Sequence, residues 1–147
     1  MRLTTHTDYA LRSLMYLAAH DDSQTIDDIA SAYDISKNHL MKVAQRLASC
    51  GFITSQRGRG GGLKLARDAS EINIGEVVRA MEEVNQFVEC SPGSKNQCVV
   101  TPVCGLSHIL ADAVGAFLAH LDKFTLADVM GKRQLFAEIF ALETVDS

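Results

Sequence analysis

No segment of this 147-residue chain approaches the roughly 18 consecutive apolar residues that a membrane-spanning helix requires. Its first residues, MRLTTHTD, have no apolar core of the kind found in secretory signal peptides, so we expect no export. A composition of 47% hydrophobic and 22% charged residues is also not that of a disordered chain. These absences favour a folded, cytoplasmic protein with no membrane partner.

Catalytic and phosphate-binding motifs are absent as well. The five histidines are not spaced as metal ligands or as part of a catalytic triad, and no nucleophile is paired with a base in a recognisable motif. The glycine-rich segment 58–62 lacks the Gly-Lys-Ser/Thr ending of a P-loop, and no helix begins directly after it. We therefore expect that the protein is not an enzyme.

Acidic residues are missing from one stretch of the chain. The net charge is −4, but residues 1–70 carry nine basic and seven acidic side chains, whereas residues 71–147 carry five and eleven. Such local asymmetry is typical of a solvated face or of a surface that binds nucleic acid. Residues 36–67 hold seven basic side chains and no acidic one: Lys37, Lys42, Arg46, Arg57, Arg59, Lys64 and Arg67.

Hydrophobic periodicity predicts a winged helix-turn-helix in residues 1–70. Apolar residues recur at helical spacing over 3–19, and Thr25 resembles the start of a capping box that opens a second helix. Ser36 is suited to cap a third helix, which Gly51 ends. Strand patterns at 52–54 and 63–65 flank the glycine segment and predict a β-hairpin wing. The predicted fold class is therefore mainly α, with a small β-hairpin.

The second half divides into a connecting segment and a helical arm. Residues 71–104 are predicted to hold a helix over 74–84 and an irregular loop with both prolines of the chain, Pro92 and Pro102. Residues 105–147 are predicted to form a long helix over 105–121 and shorter C-terminal helices. The long helix is too apolar to be hidden by a winged helix alone, so we expect it to be the dimerisation helix of a homodimer. Packing on its own domain is the alternative.

The third helix and the wing carry the side chains expected to contact DNA. Asparagine pairs well with adenine, while lysine and arginine pair with guanine or with phosphates. Arginines that alternate with glycines suit a minor groove, and a plain turn is not expected to need four glycines and two arginines. A winged helix that binds another protein is the alternative. The candidate DNA-binding residues are Ser36, Lys37, Asn38, His39, Lys42, Arg46, Arg57 and Arg59.

Three of the four cysteines, Cys90, Cys98 and Cys104, form a C-x7-C-x5-C pattern, whereas Cys50 is expected to be a small buried thiol. In a reducing compartment such a group favours metal ligands or redox thiols over a structural disulfide. The C-x2-C pairs of zinc fingers are absent, and wide spacings suit the larger core of an iron–sulfur cluster. A cluster, a thiol redox switch and a zinc site are the three interpretations, in that order.

Three segments of the chain together resemble the iron–sulfur Rrf-type transcription regulators: RLTTHTDYALR at 2–12, SKNHL at 36–40 and RGRGGG at 57–62. Asn38-His39 and FTLAD at 124–128 are most similar to the nitric-oxide-sensing repressors of that family. The resemblance implies a homodimer on a palindromic, double-stranded operator. It also implies a cluster held by the three cysteines, 4Fe–4S rather than 2Fe–2S, and release of DNA when nitric oxide attacks it.

The resemblance implies a fourth metal ligand as well. In the nitric-oxide-sensing branch this ligand is an aspartate of the first helix of the other subunit, and Asp8 occupies the matching position. From spacing alone, Asp8 is expected to be an acid that stabilises a helix N-terminus.

Two features depart from the family pattern. The first cysteine gap, which includes Pro92-Gly93, is longer than expected. Ser107 stands where another branch has a histidine, and His108 lies one residue further on, about 100° around a helix. A family member that responds to iron, cluster supply or redox state, and a cluster-free thiol switch, therefore remain alternatives.

Overall fold

The computed structural model describes residues 2–91 and 93–145, so that Met1, Pro92, Asp146 and Ser147 lie outside the described part of the chain. The described residues form seven α-helices and a two-stranded antiparallel sheet, which confirms the predicted, mainly α winged helix-turn-helix. None of these helices is long and apolar enough to cross a membrane. The elements are α1 (Thr5–Ala19), α2 (Ile26–Tyr33), α3 (Lys37–Ser49), β1 (Ile53–Gln56), β2 (Gly62–Leu65), α4 (Ile74–Met81), α5 (Leu106–Leu121), α6 (Leu126–Val129) and α7 (Arg133–Val145).

Capping side chains set where the first helices begin. Thr4 accepts a hydrogen bond from a backbone amide in the first turn of α1. Thr25 and Asp28 form the predicted capping box of α2. Ser36 stands at the N-cap position of α3, but its side chain makes no capping hydrogen bond, so that part of the prediction is wrong. The first backbone hydrogen bond of α3 runs from the amide of Leu40 to the carbonyl oxygen of Ser36 at 3.1 Å.

Helix α1 lies at the centre of the hydrophobic core and contacts α3, α4 and α7. Its buried face recurs at helical spacing, because side chains three and four residues apart share one side of a helix. The fully buried Phe52 and the inward face of α3 pack within the same core. The buried core residues of α1 and α3 are Ala10, Leu14, Tyr16, Leu17, Ala18, Ala19, Leu40, Val43 and Leu47.

Several element boundaries differ from the prediction, and two of the differences matter for the site. Phe52 is buried just before β1, which begins at Ile53, so the residue that was expected to open the strand serves the core instead. Helix α4 ends at Met81 rather than at residue 84, because Glu82 adopts an extended backbone with φ −104° and ψ 150°. From Glu82 onward, the chain runs into the loop that carries the cysteines.

The wing is anchored to the chain between α1 and α2. β1 and β2 pair antiparallel, with Gln56 opposite Gly62 at the tip end of the hairpin. The amide of Gln24 donates to the carbonyl oxygen of Leu63 at 3.0 Å, and the amide of Leu63 donates back to Gln24 at 2.7 Å. This bridge gives β2 a backbone partner on each side and fixes the base of the wing relative to α1 and α2.

Helix α4 is held to the turn that follows α5 by its N-cap residue and by an arginine of its last turn. Asn73 accepts a hydrogen bond from the amide of Glu76 and so caps α4, and its side-chain amide donates to the carbonyl oxygen of Asp122 at 2.7 Å. Arg79 donates two further hydrogen bonds to the carboxylate of Asp122, at 2.5 and 2.7 Å. These bonds hold the pKa of the Asp122 carboxyl below its usual value.

Most of α5 stays exposed in the single chain. Within that helix, Leu118 alone is buried. Leu106 is 55% exposed and Ile109 is 66% exposed, and Val103, just before the helix, is 88% exposed. Contact with α4 therefore covers only a small part of the apolar surface that the sequence places on α5.

We expect Gly75→Ala to destabilise the fold, because a Cβ atom at this position would collide with the Asp122 carboxylate and approach the Arg79 guanidinium to 3.0 Å. The two hydrogen bonds between Arg79 and Asp122 would have to lengthen or break. The measurement is the urea midpoint of unfolding, followed by circular dichroism.

Gly115→Ala is the matched control, since a Cβ atom there meets no heavy atom within 4 Å and the residue also lies in a helix. Alanine favours helix by about 0.5–1 kcal/mol over glycine, so this variant should unfold at a higher urea concentration. A Gly75→Ala protein that gained stability to the same extent would contradict the prediction.

Candidate nucleic-acid interface and cysteine loop

A groove between α3 and the wing brings together several of the predicted DNA-binding residues. Its volume is about 740 Å³. The exposed side of α3 contributes Asn38, Lys42 and Gln45, and β1 and the hairpin tip contribute Ser55 and Arg57. Apolar side chains line the rest: Ile26, Met41, Ala44, Ala48 and Leu63. Amide, hydroxyl and cationic groups on one concave surface can donate hydrogen bonds to base edges and to phosphates.

The positive charge of this surface comes from side chains without an acidic partner. Within the described chain, no carboxylate pairs with Lys42, Arg57 or Arg59, and all three are exposed. By contrast, Lys37 is bound to Asp27 at 2.8 Å. The basic stretch is therefore only partly neutralised within the described fold, and exposed charges without a carboxylate partner lie on α3, on the tip of the wing and, at Lys64, on β2.

The remaining candidates on α3 have neighbours of their own. The ring of His39 lies 6.1 Å from the ring of Tyr9 on α1, centroid to centroid. Ser36 is exposed at the start of the helix. Arg46 points towards α4, where its Nε and one terminal nitrogen both donate to the carbonyl oxygen of Ala80 at 3.1 Å. The sequence offered no signal for this last contact, because Ala80 is 34 residues away.

The glycines of the wing are explained by the hairpin itself, contrary to the expectation that a turn does not need four of them. Gly62 has φ +151°, and a Cβ atom there would lie 2.7 Å from the carbonyl oxygen of Gln24. A Cβ atom on Gly61 would collide with the carbonyl oxygen of Gln56. Gly58 and Gly60 also have positive φ. The case for DNA contact at the wing therefore depends on its arginines and not on its glycines.

The cysteine loop runs from the end of α4 to the start of α5. All four cysteines are free thiols; Cys98 is exposed, and Cys90 and Cys104 are partly buried. Within the described residues, no three Cys, His, Asp or Glu side chains come close enough together to hold a metal ion. Three free thiols match the ligand chemistry of an iron–sulfur cluster, but the fold of the single chain does not gather them.

Asp8 lies in the first turn of α1, as predicted, and is not gathered with the cysteines either. Its carboxylate forms an ion pair with Arg12 at 2.9 Å, and 45% of its side chain is exposed. An exposed pair of this kind contributes little to stability. The carboxylate of Asp8 is therefore accessible to a neighbouring molecule.

A polar contact joins the start of α1 to the C-cap of α4. The amide of Thr4 donates to Glu82 Oε1 at 2.6 Å, and the Thr4 hydroxyl donates to the same oxygen at 3.0 Å. Burial alone would raise the pKa of Glu82, but hydrogen bonds from Thr7 and Thr4, together with nearby His6, hold it below its usual value. The carboxylate at the entrance to the cysteine loop is thus stabilised in its charged form.

Known proteins match this chain along most of its length. A family model described as Rrf2, an iron-dependent transcriptional regulator, matches residues 3–132. The chain is 51% identical over 136 residues to the HTH-type transcriptional regulator NsrR of Bacillus subtilis (strain 168), covering 91% of this chain and 93% of that protein. It is 47% identical over 135 residues to the protein of the same name from Geobacillus kaustophilus (strain HTA426), covering 90% and 92%.

Solved structures of transcription regulators share the fold. The global cysteine regulator CymR of B. subtilis is similar with a TM-score of 0.70 and 22% identity, covering 90% of this chain and 98% of that one. T. potens IscR is similar with a TM-score of 0.71 and 22% identity, covering 90% and 88%. At these identities the similarity concerns the fold alone.

We expect Gly62→Ala to destabilise the wing more than Gly60→Ala does. Both positions have positive φ, which costs an alanine about 1–2 kcal/mol. A Cβ atom at Gly60 meets nothing within 4 Å, whereas one at Gly62 would also push against the Gln24 backbone. Urea midpoints of the two variants test this prediction. Equal losses of stability would show that the bridge to Gln24 adapts freely.

Proposed function

The chain belongs to the Rrf2 family of transcriptional regulators, and on this premise we propose that it is a homodimeric, DNA-binding repressor that releases its operator in response to nitric oxide. The family consists of regulators, which confirms the expectation that the protein is not an enzyme. Two relatives that are 51% and 47% identical carry the name NsrR, and this supports the nitric-oxide-sensing branch expected from the sequence. A regulator that acts on chromosomal DNA works in the cytoplasm.

The groove between α3 and the wing carries this proposal. Asn38 and Lys42 would face base edges or phosphates in the major groove, as the N-terminal half of a recognition helix does in this fold. Arg57 and Arg59 on the wing would reach an adjacent minor groove. Ser36, Lys37 and His39 lie in or next to the first turn of α3 and complete the proposed contact set. Arg46, which was also expected to contact DNA, is left out because its guanidinium is bound to the carbonyl oxygen of Ala80.

Dimerisation would use the exposed apolar side of α5. A free chain would leave Leu106, Ile109 and Val103 in water, and burial of such surface is the main driving force for association. A twofold dimer would present two α3 helices to two half-sites, which predicts a palindromic operator.

The sensing site would be built from Cys90, Cys98 and Cys104 of one protomer and from Asp8 of the other. The donor set, three free thiols and an accessible carboxylate, suits an iron–sulfur cluster, for which we favour the 4Fe–4S type over 2Fe–2S. Such a cluster supplies iron atoms that bind nitric oxide. Asp8 would leave Arg12 to take part, and a carboxylate is a harder ligand than a thiolate, so its bond to iron would be the most easily exchanged.

A cluster-free thiol switch is the second candidate. It is favoured by the exposure of Cys98 and by the free state of all three loop thiols. In that case two of the thiols of Cys90, Cys98 and Cys104 would form a disulfide by exchange with a small-molecule disulfide, which is reduced to two thiols, and excess thiol would reverse the step.

The wing is tested with Arg59→Gln on a duplex that the wild-type protein has selected from a randomised pool. We expect weaker binding, and a slope of log affinity against log salt that is smaller by about 0.9 for each phosphate that the variant no longer neutralises. Fluorescence anisotropy over a salt series measures both quantities.

Lys123→Gln is the control, because it removes the same charge from an exposed residue in the turn after α5, away from α3 and the wing. This variant should bind with the wild-type slope. If Arg59→Gln also kept the wild-type slope, the wing would have no part in phosphate binding.

Native mass spectrometry of protein purified without oxygen tests the sensing site. The wild-type dimer should carry iron and sulfide, and stoichiometric nitric oxide should convert it to nitrosylated species. Cys98→Ser should remove the cluster, whereas Cys50→Ser, at the end of α3 and outside the loop, should keep it.

Asp8→Asn should leave the dimer intact but alter the stability of the cluster or its response to nitric oxide.

A wild-type dimer that remains free of metal after anaerobic reconstitution would refute cluster binding and favour the thiol switch. A cluster and a nitric-oxide response unchanged by Asp8→Asn would return Asp8 to its role at the N-terminus of α1.

A further inference from the structure

The C-terminal end of α4 is bound to two other helices by backbone and side-chain contacts. From α3, Arg46 donates two hydrogen bonds to the carbonyl oxygen of Ala80. From the start of α1, Thr4 donates two hydrogen bonds to Glu82 Oε1. These acceptors lie in the last turn of α4 and at its C-cap, so the two contacts fix the point at which the cysteine loop leaves the helix.

The chemistry of the Arg46 contact is well matched to this end of a helix. The last carbonyl groups of a helix lack intrahelical partners, and the helix dipole places negative charge there, so a cation is favoured. A guanidinium presents its nitrogens in a rigid fork, and here two of them converge on one oxygen. Arg46 is thereby turned from the groove face of α3 towards α4.

We infer that Arg46 is a positioning residue, which couples the cysteine loop to the recognition helix by holding α3 against the C-terminal end of α4. This inference rests on the proposed function, since it assigns the route by which the sensing loop affects DNA binding. A shift of the loop at Glu82 would move the Ala80 carbonyl, and α3 would follow through the guanidinium fork. By linkage, DNA bound to α3 must stabilise the end of α4 to the same extent.

This role differs from that of a phosphate-binding arginine in what it predicts for mutants. A phosphate contact adds to the affinity of every state of the protein and to its salt dependence. A coupling contact changes the difference between two states, so its removal reduces the effect of one site on the other.

The first experiment measures hydrogen–deuterium exchange in cluster-free, full-length protein, with and without a saturating amount of the selected duplex. In the wild type, DNA should slow exchange of the amides at the end of α4 and the start of the loop, including the Glu82 amide, which donates to Val78 at 2.8 Å. In Arg46→Gln this slowing should disappear, and in Arg46→Lys it should be partly restored.

Lys42→Gln is the matched control, because Lys42 lies on the same helix but faces the groove. At saturating DNA it should keep the slowed exchange at the end of α4. Its affinity should fall equally in the cluster-loaded and cluster-free forms. In Arg46→Gln the ratio of the two affinities should instead fall on the order of tenfold, towards one.

Each outcome is decisive for Arg46. If DNA slows exchange at the end of α4 as much in Arg46→Gln as in the wild type, the inference is overturned. The same holds if this variant lowers the salt slope and leaves the affinity ratio intact, since it then behaves as a phosphate contact. A wild-type protein that binds no cluster would refute the sensing proposal only, because the exchange experiment uses cluster-free protein. If Arg46→Gln fails to fold, Arg46→Lys should show a slowing that is smaller than in the wild type, and a slowing equal to that of the wild type would overturn the inference.

Discussion

Two sets of polar contacts on α4 are the constraint on which the arrangement of the other helices depends. The turn after α5 is bound by Asn73, at the N-cap of α4, and by Arg79, in its last turn. At the C-terminal end of α4, Ala80 accepts hydrogen bonds from Arg46 of α3, and Glu82 accepts from Thr4 at the start of α1. The apolar side of α4 is buried through Ile74, Val77, Val78 and Met81. Hydrophobic burial has no preferred direction, so the directed hydrogen bonds add orientation to this packing. The third helix, the start of the cysteine loop and the turn after α5 are thus all held in place by contacts with α4.

The elements of the fold were predictable because their signals are local. The 3.6-residue period of α1, the capping box at Thr25 and the left-handed residue after α3 act within a few positions of the chain. The polar contacts of α4 were not predictable, because Arg79 and Asp122 are 43 residues apart and an exposed arginine adds nothing to the hydrophobic periodicity of the sequence. The wing glycines show the opposite error. Their number pointed to DNA, whereas the hairpin turn and the adjacent backbone of Gln24 require them.

The candidate site was predicted in outline for the same reason. Residues on one face of α3 can be grouped from their spacing, and the structure indeed brings Asn38, Lys42 and Arg57 to one groove. The cysteine pattern suggested ligand chemistry, but ligand geometry depends on how a proline- and glycine-containing loop folds and, under the proposal of a site shared between protomers, on a second copy of the chain. The spacing of the cysteines specifies neither the fold of the loop nor the position of a second chain. The sequence therefore identified candidate donors without showing how they assemble.

The backbone bridge between Gln24 and Leu63 has a thermodynamic consequence for any partner of the wing. Ordering a flexible segment on binding costs about 1–2 kcal/mol per residue in backbone entropy. In this protein β2 is already paired on both sides, so that cost is met during folding for the strands and is left only for the tip at 57–61. The arginines are therefore delivered by a frame that is rigid before it meets its target, and more of their interaction energy remains available for binding.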